Sequence, residues 1–128
     1  MNAPPADKIV SVNFGFQFGT EAALKNINLA VRKNEILSII GPARSGKTTF
    51  LRSLNRLNDL CLNGRHQGAI LLDGEDIYGV GVDISALRRR VGMVYAVPIP
   101  LPIAIFDNLA FGPRRKGIRD KARLQTLA

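Results

Sequence analysis

The stretch Glu35-Ile-Leu-Ser-Ile-Ile-Gly-Pro-Ala-Arg-Ser-Gly-Lys-Thr-Thr-Phe-Leu-Arg-Ser-Leu-Asn-Arg-Leu57 decides how the rest of this chain is read. Its first part, Ile36–Ile40, is nearly continuous in apolar residues, which is how a strand reads when both of its faces are covered, as in the parallel sheet of an α/β protein. Its last part places Phe50, Leu51, Leu54 and Leu57 at helical spacing, which predicts a helix from Lys47 to about Leu57 packed back on that sheet. Between the two, Gly41–Thr48 fits the pattern G-x-x-x-x-G-K-[ST]. The glycines let backbone N–H groups converge on an anion with no Cβ in the way, and a helix starting beside Lys47 aims the positive end of its dipole at the same place. Gly41, Pro42, Ala43, Arg44, Ser45, Gly46, Lys47, Thr48 and Thr49 are therefore the candidate residues for holding the phosphates of a nucleotide. Lys47 is expected to reach the β- and γ-phosphates. The Thr48 hydroxyl is the candidate Mg²⁺ ligand, completing a shell otherwise made of phosphate oxygens and water, because Mg²⁺ rarely takes an all-protein cage.

Upstream, Ile9-Val-Ser-Val-Asn-Phe14 alternates apolar and polar residues as a half-buried strand does, after an N-terminal tail over residues 1–8 expected to be disordered. Gly15 and Gly19 punctuate a turn, and Ile27-Asn-Leu-Ala-Val31 alternates again, so a second strand antiparallel to the first is expected. Downstream, Asn63-Gly64 marks a loop. Ala69–Gly74 reads as a short strand entering an Asp-Gly turn, and Asp83 is positioned to cap a short helix through Arg90. Val91–Tyr95 reads as a further apolar strand. Three prolines between Val97 and Pro102 predict an irregular, stiffened loop before a helix starting near Ile103 or Ala104. Asp120 is placed to cap a last helix.

The 128 residues make one ordinary domain by size, and 46% hydrophobic with 22% charged residues is the composition of a folded globular chain. No apolar run approaches the ~20 residues that span a bilayer. Met1–Asp7 holds two prolines and no apolar h-region, so a cytoplasmic location is expected. The single Cys61 excludes an internal disulfide and suits a reduced, structurally minor side chain. The formal charge of +8 points to an anionic partner. Much of the excess lies in Arg88–Arg90 and Arg114–Lys116, and runs of this length are more often solvated faces than binding sites. No aromatic residues interleave with them, so nucleic acid is not an expected partner. His66, the only histidine, reads as a solvent-exposed bystander in the loop after the helix.

Residues well beyond the glycine-rich loop carry a resemblance. Ala23–Leu29, Leu54–Leu60, Ile70–Tyr78, Leu87–Val94 and Ile105–Pro113 are similar to the ATP-binding subunits of ATP-binding-cassette (ABC) transporters. Pro100–Asn108 in particular resembles the phosphate importers of that family. The resemblance covers about residues 9–125. It implies an α/β fold with a P-loop NTPase-type core and an N-terminal antiparallel β-subdomain, truncated before the second half of the nucleotide-binding domain, so that residues 9–128 form its N-terminal half. It also implies ATP and Mg²⁺ as cofactors. Membrane-embedded permease subunits and a second nucleotide-binding subunit are the implied partners, with Ala96–Asn108 as the contact region, at the inner face of the cell membrane. Phe18, before Gly19, falls where the family places the aromatic that stacks on adenine; a place in the core beside Phe14 and Phe16, which share its parity, is the alternative.

Two positions depart from the family pattern. Where the family has a glutamine that touches Mg²⁺ and the attacking water, this chain has Ala96, whose methyl group does neither. Where a glycine or another small residue is usual in the P-loop, Arg44 stands; either its backbone is strained, if φ is positive there, or its guanidinium adds charge near the phosphates. The signature loop, the Mg²⁺-binding Asp with its catalytic Glu, and the switch histidine are not found up to Ala128. No catalytic residue is therefore assigned. Weak Mg·ATP binding with negligible turnover is the expectation for a chain read as a fragment or remnant, and a non-hydrolysing binding or interaction module is the alternative. Ile36–Ile40 is further expected to leave an open edge prone to association.

Overall fold

The computed structural model describes residues 7–127, so the expected tail lies, but for its last two residues, outside the described part. The chain divides into two compact units, Met1–Met93 and Val94–Ala128.

The first unit is built on an antiparallel sheet of strands β1 (Asp7–Phe18), β2 (Glu21–Arg32), β3 (Gly64–Leu72) and β4 (Glu75–Asp76), in the order β2-β1-β3-β4. The expected antiparallel pair forms, with Val10 opposite Ala30 and Phe14 opposite Ile27. It is longer than the alternating pattern alone suggested, because Gly15 falls inside β1 and only Gly19 belongs to the turn. The register of β1 slips between Val12 and Gly15 on the β3 side. Asn13 there adopts φ 47°, and its N–H donates to Asn28 Oδ1 at 2.8 Å. Gly68 faces this irregularity at φ 71°, and a Cβ on it would lie 2.4 Å from the Asn13 carbonyl oxygen. Only glycine fits there. The Asp73-Gly74 turn is confirmed: both residues have positive φ, 54° and 86°, as the tight hairpin between β3 and β4 requires.

Helix α1 (Lys47–Ser53) and helix α2 (Ile84–Arg90) join the sheet through one core, where Phe50 and Leu87 pack with Phe14, Phe16, Leu24, Ile70, Leu72 and Ile77. Asp83 caps α2 as expected, its carboxylate accepting from the Ser85 and Ala86 amides at 2.8 and 3.1 Å. Helix α1 stops four residues short of the expected Leu57. Arg56 turns left-handed at φ 58°, and Leu57–Leu60 forms a single 3₁₀ turn. Two of the three residues of Arg88–Arg90 serve the fold: Arg88 donates to the carbonyls of Asn55 and Arg56, and Arg90 to Asp73. With Lys8, Arg90 holds the Asp73 carboxyl below its ordinary range by hydrogen bonding to it, Lys8 contributing most.

Two expected strands do not form. Ile36–Ile40 and Val91–Tyr95 have no ladder partner among the described residues, and a strand exists only by its hydrogen-bonded neighbours. Exposure alternates along the first segment, with Ile36 at 95% and Ile40 at 91%, while Leu37 and Ile39 lie about two-fifths exposed. The parallel sheet of the expected α/β core is thus absent among the described residues, whereas the antiparallel β-subdomain is fully made.

The second unit holds helices α3 (Ile105–Arg115) and α4 (Lys121–Leu127). Asn108 ties the proline-rich loop to α3: its amide accepts from the Leu101 N–H at 2.8 Å and donates to the carbonyls of Leu101, Ile103 and Ala104. Pro113 cannot continue the helical ladder, and Gly117 at φ 88° closes α3, with Gly117 N–H on the Arg114 carbonyl and Ile118 N–H on that of Pro113. Asp120 caps α4 through the Arg123 amide at 2.7 Å.

Candidate functional site

The glycine-rich loop runs into α1 at Gly46, which has φ 88°. A Cβ there would stand 2.8 Å from both the Ala23 carbonyl oxygen and Leu24 Cδ2, so the loop seats on the start of β2 only because residue 46 is glycine. No side chain caps the first turn of α1. The amides of that turn are therefore left for another acceptor, as an anion site requires. Arg44 has φ 63°, which decides the backbone question raised by its sequence position: arginine sits in the left-handed region, at roughly 1–2 kcal/mol of strain.

Lys47 Nζ curls over the loop, donating to the Gly41 and Pro42 carbonyls at 2.8 and 2.6 Å and to Ser45 Oγ at 3.1 Å. The ammonium is thus held at the centre of the loop rather than extended into solvent. A cleft of about 210 Å³ opens beside it, lined by Glu21–Ala23 at the start of β2 and by Arg44–Thr49. Thr48 is exposed on this cleft, and Thr49 is half-buried. On another side a wider gap of about 560 Å³ separates Leu37–Ile40 from Ile27, Leu29 and Phe50. Its walls are mainly apolar, as a sheet face lacking its cover would be.

The structure brings Gly41–Thr49 together as one loop against β2. Phe18 is half-buried at the end of β1, its ring edge-on to Phe16 at 5.0 Å between centroids, and it does not line the smaller cleft. Ala96 lies exposed in the second unit. His66 departs from expectation. It lies in β3 rather than in a loop, and although exposed it stacks on Tyr78 at 4.0 Å between centroids. Among the described residues no group of three or more His, Cys, Asp or Glu side chains that could hold a metal ion assembles.

Sequence reasoning missed what braces the loop. The Thr49 carbonyl accepts from Ser53 Oγ and from Asn58 Nδ2, both at 2.8 Å, and Asn58 Nδ2 also reaches Ser53 Oγ at 2.8 Å. Ser53 and Asn58 are fully buried, and Tyr78 Oη donates to the Ser53 carbonyl at 3.0 Å. Burial pushes the Tyr78 hydroxyl up to about 12. This network fixes α1 beneath the glycine-rich loop. The available signal was Asn58, an amide set between Leu57 and Leu60. Missed too were aromatic partners for the basic run: Arg115 lies over Phe111 and Arg114 over Phe106, at 5.2 and 5.8 Å to the ring centroids.

No helix among the described residues is long and apolar enough to cross a membrane. The family model described as ABC transporter matches residues 24–128, from within β2 through the glycine-rich loop to the end of the second unit. A match over that much of the sequence, on a chain whose Gly41–Thr48 loop has the seating and the free amides described above, shows that this chain belongs to the ABC transporter family, as an ATP-binding domain.

Proposed function

We propose that this chain is the ATP-binding part of an ABC importer, that inorganic phosphate is the imported solute, and that Gly41–Thr49 hold the nucleotide's phosphates. ATP-binding domains of this family generally bind ATP with Mg²⁺, hydrolyse it, dimerise, and pair with transmembrane subunits. The observation that carries the reading here is the glycine seat: Gly46 against the Ala23 carbonyl, uncapped amides in the first turn of α1, and Lys47 poised at the loop centre. The resemblance of Ile70–Tyr78 and Pro100–Asn108 to phosphate importers supports the choice of solute, and Ala96–Asn108 is the segment proposed to meet the permease at the inner face of the membrane.

The residues present fit a Mg-nucleotide. The amides of Gly46–Thr49 would hold phosphate oxygens, the Lys47 ammonium, now on the Gly41 and Pro42 carbonyls, would serve the same phosphates, and the Thr48 hydroxyl would be the protein's ligand to the metal. The chemistry that Mg²⁺ would supply there is neutralisation of the phosphate charge. Phe18 offers a ring face to adenine at the head of the β1–β2 hairpin. Ala96 offers no group to orient an attacking water, which favours binding over turnover in this chain.

The test is calorimetry with Mg·ATP on the folded chain, together with a steady-state assay of phosphate release. Measurable binding that is lost in Lys47→Ala, with the thermal midpoint unchanged, is the expected result. Turnover by this chain that disappears in the same variant would refute the claim that it binds without hydrolysing.

A further inference from the structure

Helix α3 turns a different chemistry to each side. On one face Ala110 is buried, and Phe106 and Pro113 are half-buried. At about 100° per residue, Leu109, Phe111, Arg115 and Lys116 fall on an arc of roughly 160° opposite Ala110. A face that only meets water is expected to be polar. Here Leu109 is 52% and Phe111 43% exposed, beside two cations. Past the end of the helix, Gly117 at φ 88° turns the chain back, so that Arg119 lines one cleft of about 470 Å³ with Phe111, Arg114 and Arg115. The helix dipole explains cations in the last turn of α3, but neither Arg119, which lies beyond it, nor Phe111. Between Arg114 and Arg123 stand six cationic residues and a single carboxylate, Asp120, which caps α4.

Large apolar side chains set among arginines match a surface that is apolar beneath a layer of negative charge. We infer that the solvent face of α3, with Arg119 at its end, docks on an anionic lipid bilayer. The guanidiniums of Arg115 and Arg119 meet headgroup oxygens, and the side chains of Leu109 and Phe111 enter among the upper acyl carbons. Arginine suits this place because its stem lies along apolar surface while its fork stays on the anion. Arg115 already lies so, its guanidinium 5.2 Å from the centroid of the Phe111 ring. A nucleic acid fits less well: Arg115 covers a face of the ring on which a base would stack, and Leu109 offers a base neither stacking nor a hydrogen bond. Arg114 contributes less charge, because Asp107 pairs with it at 2.7 Å. This surface begins after Asn108, where the segment proposed to meet a permease ends, and uses no residue of the glycine-rich loop.

The test is co-sedimentation of the full chain with vesicles of phosphatidylcholine alone and of phosphatidylcholine with about 30% phosphatidylserine, at low and at high salt. Binding to the anionic vesicles only, weakened by salt, is the expected result. Arg115→Gln with Arg119→Gln weakens it by about thirtyfold, about fivefold for each charge removed, and Phe111→Ser by about fivefold. Lys25→Gln with Arg65→Gln removes as much charge from exposed positions of β2 and β3 and stays within about twofold of the parent. Both double variants keep the parental melting midpoint, since the four side chains are exposed. Lys47→Ala sediments as the parent does, so failure of the nucleotide reading and failure of this one are told apart. Equal losses in the two double variants would assign the binding to the overall charge of +8 and overturn the proposal. So would parental binding by Arg115→Gln with Arg119→Gln, equal binding to both kinds of vesicle, or tighter binding to mixed single-stranded DNA than to the anionic vesicles at the same salt.

Discussion

The β-subdomain and the segment Ile36–Ile40 are both rich in apolar residues, yet one buries them and the other does not. Phe14 in β1 is fully buried, with partner strands on both edges and α1 against its face; Ile36, just after β2, is 95% exposed. The difference lies in where the partners come from. A hairpin finds its partner a few residues away along the chain, so alternation and a turn suffice to make it. A strand in a parallel sheet needs neighbours delivered by long crossovers, and its composition cannot supply them. The apolar composition of Ile36–Ile40 states a requirement for cover, while its structure lacks the cover.

The sharpest way to break this comparison is to truncate one side chain in each region. Phe14→Ala is expected to destabilise the chain by about 4 kcal/mol in urea unfolding, and Ile36→Ala by less than about 0.5 kcal/mol. Equal losses would mean that Ile36 is packed in solution and that the contrast is not real.

A smaller effect tests the register of the made sheet. Gly68→Ala sets a Cβ 2.4 and 2.5 Å from the Asn13 and Val12 carbonyl oxygens, at a positive φ, and is expected to lose about 2 kcal/mol or more. Gly81→Ala, with a similar φ of 82° and open space around it, carries only the strain of about 1 kcal/mol. Similar losses in the two variants would remove the evidence for close approach at the β1 irregularity.

The smallest effect sharpens the account of how the made region supports the loop. Tyr78→Phe removes the hydrogen bond to the Ser53 carbonyl and is expected to lose about 1 kcal/mol. Because burial raises the folded hydroxyl to about 12 from 10.0, its contribution is complete below pH 10 and is lost as pH rises toward 12, where the folded form also ionises. Unfolding curves between pH 9 and 12, a span of roughly three units around that shift, should therefore fall less steeply in Tyr78→Phe than in the parent. Parallel curves would show that the hydroxyl is not held in the core.

Much of the site was legible because its signals are local. The spacing from Gly41 to Thr48 marked the glycine-rich loop before α1, Asp83 and Asp120 marked two helix starts, and Asp73-Gly74 marked a turn. Each of these rests on one residue type satisfying a backbone need within three or four positions. The bracing of that loop was not legible. Asn58 and Tyr78 reach Thr49 and Ser53 across 9 and 25 residues, and neither pairing leaves a periodic trace. His66 was misplaced for the same reason, since its stacking partner lies on the far side of a hairpin.

Sequence alone therefore determined the glycine-rich loop, the hairpin turns and the helix caps, all of which are short-range matters of backbone conformation and hydrogen bonding. Only the tertiary structure decided that Arg44 is left-handed, that Ser53, Asn58 and Tyr78 brace the first turns of α1, and that Ile36–Ile40 goes without a partner. Those outcomes depend on which distant groups come within reach, and a linear pattern encodes the need for a contact without encoding whether the contact is met.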